Sequence, residues 1–320
     1  MKISCFLIEP WQEEIIRKNL SDHELKIFSE PLNPKNISEV KDSEIIVSRA
    51  RFLNLKFLKD TLVNFTNLKL IATMSTGFDH IDLNYCQEKN ISISSVPSYG
   101  ENSVAEYAFA LILSISRKIH LAKKSLKDSS ITPKKLIGFD LNKKTLGVIG
   151  TGKIGINVVK IAKSFEMEVL AYDIFQNKEA SEKYNFRYVS LEELLKNSEI
   201  ITLHAPLTSE THHLLNKTNF PLLKRNAVII NTARGELIET IALIEFLKNN
   251  PESFAGLDVF EGESDNLSDN NFLEKLKQLP NTLLTPHNAS NTREAKQRIL
   301  NTTIENIKNF IEGRPINLVC

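Results

Sequence analysis

Short apolar runs alternate with amphipathic stretches along most of this chain. Residues 3–8, 45–47, 68–72 and 91–94 read as strands, separated by segments with helical spacing such as residues 11–19. A second series of runs covers residues 146–149, 168–172, 200–203, 227–231, 254–258 and 282–285. Strand-like runs alternating with helical ones predict parallel sheets covered by helices. Two such series predict an α/β protein of two doubly wound, parallel-sheet domains.

The segment 100–124 joins the two series. Ser103-Val-Ala-Glu106 fits a capping box, which predicts a helix start there. The sequence that follows, AEYAFALILSIS, is apolar nearly all the way round. A surface helix is apolar along one stripe only, so residues 104–115 are expected to be buried at a domain or subunit interface. A second box, Ser190-Leu-Glu-Glu193, predicts a short helix ahead of the run at residue 200. The loop 262–271 is polar and acidic and is expected to be mobile.

Composition narrows the function class. Hydrophobic residues make up 42% of 320, enough for two buried cores. The 40 Lys and Arg against 39 Asp and Glu leave a formal charge of +1, so no electrostatic field recruits nucleic acid or an anionic membrane. Cys5, Cys86 and Cys320 are too scattered for a disulfide framework, which points to a reducing compartment and a cytoplasmic protein. The opening MKISCFLIEP has too short an apolar core for a signal peptide and reads as a first strand. The most apolar helix is broken by Glu106, Ser114 and Ser116 and is too short to span a bilayer. No Cys/His cluster has metal-site spacing, and no metal is expected.

Residues 145–150 form a strand followed at once by Gly150-Thr-Gly152-Lys153-Ile154-Gly155, with Ile154, Val158 and Ile161 then at helical spacing. The first glycine permits the tight turn and the second a close backbone approach to a pyrophosphate. The third permits close packing of helix on sheet, while the helix N-terminus offers unpaired N–H groups to phosphate. The next strand ends in Asp173. A carboxylate there accepts hydrogen bonds from the adenosine ribose and repels a 2′-phosphate, so NAD is expected over NADP.

A nicotinamide that gives a hydride to a carbonyl carbon requires a cation for the substrate carboxylate, an acid for the oxygen and a group that tunes that acid. Late strands lead into Thr232-Ala-Arg234-Gly235, into Val-Phe-Glu261-Gly-Glu263 and into Pro286-His287. In isolation Arg234 reads as a surface arginine and Glu263 as a loop carboxylate; their company changes that. His212 and His213 are adjacent, so on an extended segment they would face opposite sides and could not share a metal. His204 is expected to pack near the cofactor crossover. His23, His80 and His120 read as surface or structural residues.

These segments resemble the D-isomer-specific 2-hydroxyacid dehydrogenase family. The matching stretches are STGFDHIDL at 75–83, VPSYGENSVAE at 96–106, GTGKIG at 150–155, HAPLTSETHHLLN at 204–216, NTARGELI at 231–238, GLDVFEGE at 256–263 and TPH at 285–287. The resemblance implies that Arg234 binds the substrate carboxylate, that His287 protonates the carbonyl oxygen, and that Glu263 hydrogen-bonds His287 and raises its pKa. It places Lys153, Ile154, Ala205, Pro206, Thr211 and Thr232 along the dinucleotide, and Asp258 near the nicotinamide ribose. It assigns Thr76 and Gly77 to a loop holding the substrate carboxylate, and reads Glu261 as a solvated neighbour in its turn.

The resemblance further implies a flavodoxin-like substrate-binding domain of residues 1–98 and 289–320, and a Rossmann NAD-binding domain of residues 99–288 inserted into it. A cleft between them would close by a hinge and exclude water. A homodimer through the helix at 104–115 is also implied.

Tyr99 falls where the D-lactate branch carries a substrate-pocket tyrosine, which makes pyruvate and D-lactate the first choice. The segment Asn288-Ala-Ser-Asn291-Thr292 departs from the aromatic tail of that branch, so glyoxylate, hydroxypyruvate or a longer 2-oxo acid stand as alternatives. A 3-phosphoglycerate enzyme is disfavoured because no basic cluster or C-terminal regulatory domain is evident. A formate dehydrogenase is disfavoured by an acid at Glu263 where that branch has an amide. The same fold also serves as an NAD-sensing transcriptional corepressor, a reading that fold alone does not separate from an enzyme.

Overall fold

A computed structural model describes residues 1–48, 59–78, 80–127, 133–263 and 270–319. Asp79, Cys320 and residues 264–269 of the acidic loop lie outside the described residues. The chain divides into two units: Met1–Tyr99 with Thr292–Cys320, and Gly100–Asn291.

The first unit runs β1 (Lys2–Cys5), α1 (Pro10–Asn19), β2 (Glu24–Ile27), α2 (Ile37–Val40), β3 (Ile45–Ser48), α3 (Lys59–Leu62), β4 (Leu70–Thr73), α4 (Leu83–Glu88) and β5 (Ser92–Ser94). Its strands pair in parallel in the order β2-β1-β3-β4-β5. Strands β3 and β4 are buried at every position, which is why they read as continuous apolar runs. The first strand is shorter than expected: Leu7 has φ 61°, a left-handed turn that ends it before Ile8. Strand β2 was invisible in the pattern because it is a half-exposed edge of four residues.

The C-terminal helix (Arg293–Ile311) returns to this unit, capped by Thr292, whose Oγ1 accepts from the Ala295 N–H at 3.1 Å. Ile299, Leu300, Ile304 and Ile307 join Ile3, Val47, Leu70 and Ala72 in one core. Beyond it, the Val319 N–H donates to Ile93 O at 2.8 Å, adding an antiparallel bridge beside β5.

The second unit runs α5 (Glu101–Ser116), α6 (Ile119–Lys127), β6 (Thr145–Ile149), α7 (Lys153–Ser164), β7 (Glu168–Tyr172), α8 (Lys178–Tyr184), β8 (Arg187–Tyr188), α9 (Leu191–Asn197), β9 (Ile200–Leu203), β10 (Val228–Asn231), α10 (Thr240–Asn249), β11 (Phe254–Leu257), α11 (Asn271–Lys277) and β12 (Thr282–Leu284). All seven strands are parallel, in the order β12-β11-β10-β9-β6-β7-β8. Strand order reverses beside β6, so the loop after β6 opens at the switch point where such sheets take ligands.

Two expectations change here. Helix α5 begins at Glu101 with Gly100 as its N-cap, so Ser103 lies inside the first turn and is not the cap. The all-round apolar character of α5 is used within its own unit: Ala105, Ala108, Phe109, Leu111, Ile112 and Ile115 share a core with Leu146, Val148, Val158, Val159, Val228 and Ile230. Ser190 does cap α9, accepting from the Glu193 N–H at 3.1 Å. Among the described residues, no helix is long and apolar enough to cross a membrane, and no group of three or more His, Cys, Asp and Glu could hold a metal.

Candidate active site

The loop between β6 and α7 explains its three glycines separately. Gly150 has φ 89°, and a Cβ there would lie 2.6 Å from Ala205 N and 2.7 Å from the His204 carbonyl carbon. A Cβ on Gly155 would meet Gly150 O at 2.0 Å, so helix and strand touch through bare backbone. Gly152, the N-cap of α7, is different: a Cβ there meets nothing within 4 Å. Open space over a helix N-terminus is a place for an anion. Lys153 is exposed with Nζ 3.9 Å from Glu101 Oε1, and Ile154 is half-buried.

Asp173 follows β7. Its Oδ2 accepts from the Thr151 N–H at 2.6 Å and from Thr151 Oγ1 at 2.9 Å, and its Oδ1 accepts from the Phe175 N–H at 2.9 Å. Tyr188 completes the cluster, its hydroxyl 2.8 Å from Thr151 Oγ1. The carboxylate thus braces the glycine loop. Thr151 and Tyr188 were missed in the sequence because neither carries chemistry of its own.

Across the loop, Thr211 Oγ1 donates to Pro206 O at 2.6 Å and accepts from the Thr208 N–H at 2.7 Å, tying the segment after Ala205 into a compact turn. His204 Nε2 lies 2.9 Å from Thr202 Oγ1, while its Nδ1 is buried without a partner. Burial pushes its pKa down to about 3, so the ring is neutral. Thr232, 8% exposed, likewise has a buried Oγ1 with no partner. An orphaned hydroxyl just past β10, an unfilled space at Gly152 and a free helix terminus fit a dinucleotide laid along the C-terminal edge of this sheet.

Arg234 is presented by a turn that Asn231 holds: its Nδ2 donates to Arg234 O at 2.8 Å and its Oδ1 accepts from the Ala233 N–H at 3.0 Å. The guanidinium Nη1 donates to Ala233 O at 2.9 Å. Gly235 lies against Phe260, where a Cβ would come within 2.0 Å of the carbonyl carbon. The arginine loop therefore seats directly on the loop that carries the acids. An asparagine at a strand end before a turn was a readable signal for Asn231.

The imidazole stands after β12. His287 Nδ1 is 2.8 Å from Glu263 Oε1, with side-chain exposures of 42% and 15%. His287 has φ 47°, an uncommon conformation for a residue with a Cβ, and its N–H donates to Asp258 O at 2.8 Å. Asp258 is fully buried. Its Oδ1 accepts from Thr285 Oγ1 at 2.5 Å and the Asn288 N–H at 2.8 Å, and its Oδ2 accepts from the Ala289 N–H at 2.8 Å. Burial raises its pKa against the pull of these hydrogen bonds and of His287. Both carboxylate oxygens are thus occupied by the chain itself, clamping the His287 loop onto β11.

Glu261 is not solvated, contrary to the sequence reading. Its side chain is 17% exposed; Oε1 lies 2.8 Å from His213 Nε2 and Oε2 accepts from the Thr240 N–H at 3.1 Å. Burial works to raise its pKa, but the hydrogen bonds from His213 and Thr240 prevail and hold it below the usual range. His212 and His213 do not face opposite sides either. His213 has φ 51°, so the segment turns, and the two rings pack with centroids 4.0 Å apart.

In the first unit, Thr76 Oγ1 donates to Val96 O at 2.8 Å and Ser75 Oγ donates to Gly77 O at 2.6 Å, which shapes the loop after β4. Tyr99 packs its ring on that unit's core, and its carbonyl accepts from Arg298 Nε at 2.7 Å.

A glycine cradle and an imidazole–carboxylate pair on one edge of a parallel sheet define an oxidoreductase that works with a dinucleotide. Residues 109–289 match the D-isomer specific 2-hydroxyacid dehydrogenase, NAD binding domain, family. The chain is 34% identical to a glyoxylate reductase of Thermococcus litoralis, over 100% of this chain and 97% of that one. It is 37% identical to a D-lactate dehydrogenase of Escherichia coli, over 77% of each. The crystal structure of D-lactate dehydrogenase from Aquifex aeolicus, complexed with NAD and lactic acid, superposes with a TM-score of 0.85 at 34% identity, covering 98% of this chain and 96% of that chain. The chain belongs to the D-isomer specific 2-hydroxyacid dehydrogenase family, and its second unit is the NAD-binding domain.

Proposed function

We propose that this enzyme reduces a short 2-oxo acid to the D-2-hydroxy acid, with pyruvate to D-lactate as the first choice. The observation that carries the proposal is the His287–Glu263 hydrogen bond of 2.8 Å, formed at the sheet edge that also carries the glycine cradle and Arg234. NADH, when bound, supplies the hydride.

The chain's own residues do the rest. The space at Gly152 and the N-terminus of α7 receive the pyrophosphate, Asp173 faces the adenosine ribose, and Thr232 Oγ1 gains the partner it lacks. Lys153, Ile154, Ala205, Pro206 and Thr211 line the same groove. Arg234 pairs with the substrate carboxylate, its planar fork matched to two oxygens. Glu263 accepts from Nδ1–H of His287 and orients the ring, so that in the imidazolium it is Nε2–H that hands its proton to the carbonyl oxygen, leaving the neutral Nδ1–H imidazole. The assignment of Thr76, Gly77 and Tyr99 to the substrate rests on the family motifs.

The test is a panel of pyruvate, glyoxylate, hydroxypyruvate and longer 2-oxo acids with NADH and NADPH. Pyruvate is expected to give the highest kcat/KM with NADH. A preference for glyoxylate or hydroxypyruvate would move the enzyme to the reductase branch. Tight NADH binding with no turnover of any acid would leave a binding protein of the corepressor kind. For assembly we propose a homodimer through the 104–115 helix region, where Tyr107, Ala110, Leu113 and Ser114 are left unburied; a monomer mass by sedimentation would refute it.

A further inference from the structure

We propose that Glu261 and His213 form a positioning pair that sets Glu263, and through it His287, against the Arg234 loop. This rests on the reading of His287 as the proton donor.

The turn Phe260–Glu263 carries two carboxylates that part company. The Glu263 N–H donates to Phe260 O at 3.1 Å, and Gly262 between the two acids has φ 72°. The left-handed step sends one carboxylate to His287 and the other to His213. Each acid thus meets one imidazole at 2.8 Å. Only the Glu263 pair has a place in the reaction; the Glu261 pair stands one turn away with no reacting group assigned to it.

What Glu261 touches shows its task. Its Oε1 reaches His213, which lies two residues past the cofactor-lining Thr211. Its Oε2 accepts from Thr240, at the first turn of the ten-residue helix α10, where a negative charge is favoured. Its own carbonyl accepts from Asn270 Nδ2 at 2.9 Å. Its backbone N is 2.3 Å from where a Cβ on Gly235 would stand, beside Arg234. The side chain thus ties His213 to the start of α10, while the backbone of the same residue lies against Gly235, next to Arg234, two positions before Glu263.

His213 is fitted to its role at some cost. It holds φ 51°, its N–H donates to Glu236 O at 2.8 Å, and its ring packs on His212. Strained backbone of this kind persists where its surroundings fix it and clusters at functional sites. Among the described residues, the ionisable groups on the pair and its turn are His212, Glu236 (whose Oε1 is 3.4 Å from Gly262 N) and Glu263, which in turn meets His287. Without Glu261, His213 Nε2 and the Thr240 N–H both lose their partner, and the turn carrying Glu263 loses its anchor.

A pair that merely stabilised the fold would move the melting temperature alone. A positioning pair also moves the chemistry. Glu261→Gln, His213→Gln and His213→Ala are measured with NADH and the best acid of the panel for kcat, both KM values, the pH profile of kcat/KM and Tm, beside His287→Asn. Glu261→Gln is expected to lower kcat by about 10- to 10²-fold, the scale of a small misplacement of reacting groups. KM for NADH changes less than kcat does, because Glu261 meets the cofactor segment only through His213. The pH profile of kcat/KM changes shape as the Glu263–His287 bond loosens. His213→Gln, which keeps an N–H for Glu261, is expected to retain most of the activity that His213→Ala loses.

A lower Tm with unchanged kcat and pH profile overturns the proposal. Should Glu261→Gln fail to fold, the His213 comparison decides: equal losses for Gln and Ala overturn it. Full activity in His287→Asn refutes the reading of the site itself, whereas an inactive His287→Asn beside an unmoved Glu261→Gln refutes only the positioning pair.

Discussion

His287 and Glu263 meet at 2.8 Å although 24 residues separate them in sequence, because one follows β12 and the other follows its parallel neighbour β11. Neither residue is held by that bond alone. Asp258 clamps the histidine loop from beneath, through Thr285 and the backbone N–H groups of Asn288 and Ala289. An imidazole fixed at Nδ1 and at its own backbone is held in one orientation, which is what a general acid requires.

Replacing that acid should cost most. His287→Ala is expected to lower kcat by about 10²-fold or more, the usual contribution of a positioned proton donor. Glu263→Gln keeps an acceptor oxygen but no charge, so a smaller fall in kcat is expected. Steady-state rates across pH 5 to 9 check both. A His287→Ala enzyme within about twofold of the parent would remove the residue from its role, since a lost proton donor is never that mild.

Arg234→Ala should raise KM for the 2-oxo acid and lower kcat together, a loss in kcat/KM of about 10- to 10²-fold for a charge-assisted hydrogen bond worth about 1.5–3 kcal/mol. Arg234→Lys should recover little, because the planar fork is gone. Loss of thermal stability with unchanged kinetics would make the arginine structural.

The three glycines of the cofactor loop allow binding to be separated from folding. Gly155→Ala drives a Cβ to 2.0 Å from Gly150 O, so backbone must shift; an overpacking cost of about 1–3 kcal/mol and a lower Tm are expected. Gly152→Ala meets nothing within 4 Å, so Tm should hold while the new methyl intrudes on the phosphate space. A rise of about tenfold or more in KM for NADH, read with an unchanged melting curve, is the expected result, equivalent to about 1.4 kcal/mol. Unaltered NADH binding in Gly152→Ala would place the pyrophosphate elsewhere.

These contrasts also show what the sequence could convey. Buried parallel strands such as β3, β9 and β10 are apolar at nearly every position, so their existence was plain from the pattern. The edge strands β2 and β8 were not, because a short, half-exposed edge looks like any loop. The glycine loop was legible since each glycine answers to a local steric need. Glu261 was misread because its partners, His213 and Thr240, are 48 and 21 residues away. The backbone turn at His213 that brings the first of them within reach leaves no mark in composition. The same holds for α5: its apolarity signalled burial, but only the packing shows that its own sheet and α7 supply the cover.

His204 gives a pH dependence whose sign follows from burial. In the unfolded chain its imidazole takes a proton near the ordinary value of 6.5, whereas in the fold it does so only near about 3. Between those values the unfolded chain binds the extra proton, so stability rises with pH and is lost as pH falls from 6.5 toward 3. The slope from one proton is at most about 1.4 kcal/mol per pH unit. His204→Gln removes this contribution, so its melting temperature should fall less than the parent's between pH 7 and pH 5. Parallel curves would mean that the ring protonates within the fold.

On the proposed reading Asp173 sets cofactor choice by repelling a 2′-phosphate. Its carboxylate also accepts three hydrogen bonds, two of them from Thr151 in the glycine loop. Asp173→Ser removes the repulsion and the brace at once. The ratio of kcat/KM for NADPH to that for NADH should therefore rise, while KM for NADH rises as the loop loosens. Thr151→Val tests the brace alone: it keeps the backbone N–H bond and the charge but loses the hydroxyl that links Asp173 to Tyr188. A higher KM for NADH with an unchanged cofactor ratio is expected, because the charge that excludes the phosphate is still in place. If Thr151→Val instead shifted the ratio as far as Asp173→Ser does, selectivity would reside in the shape of the loop and not in the charge at its edge.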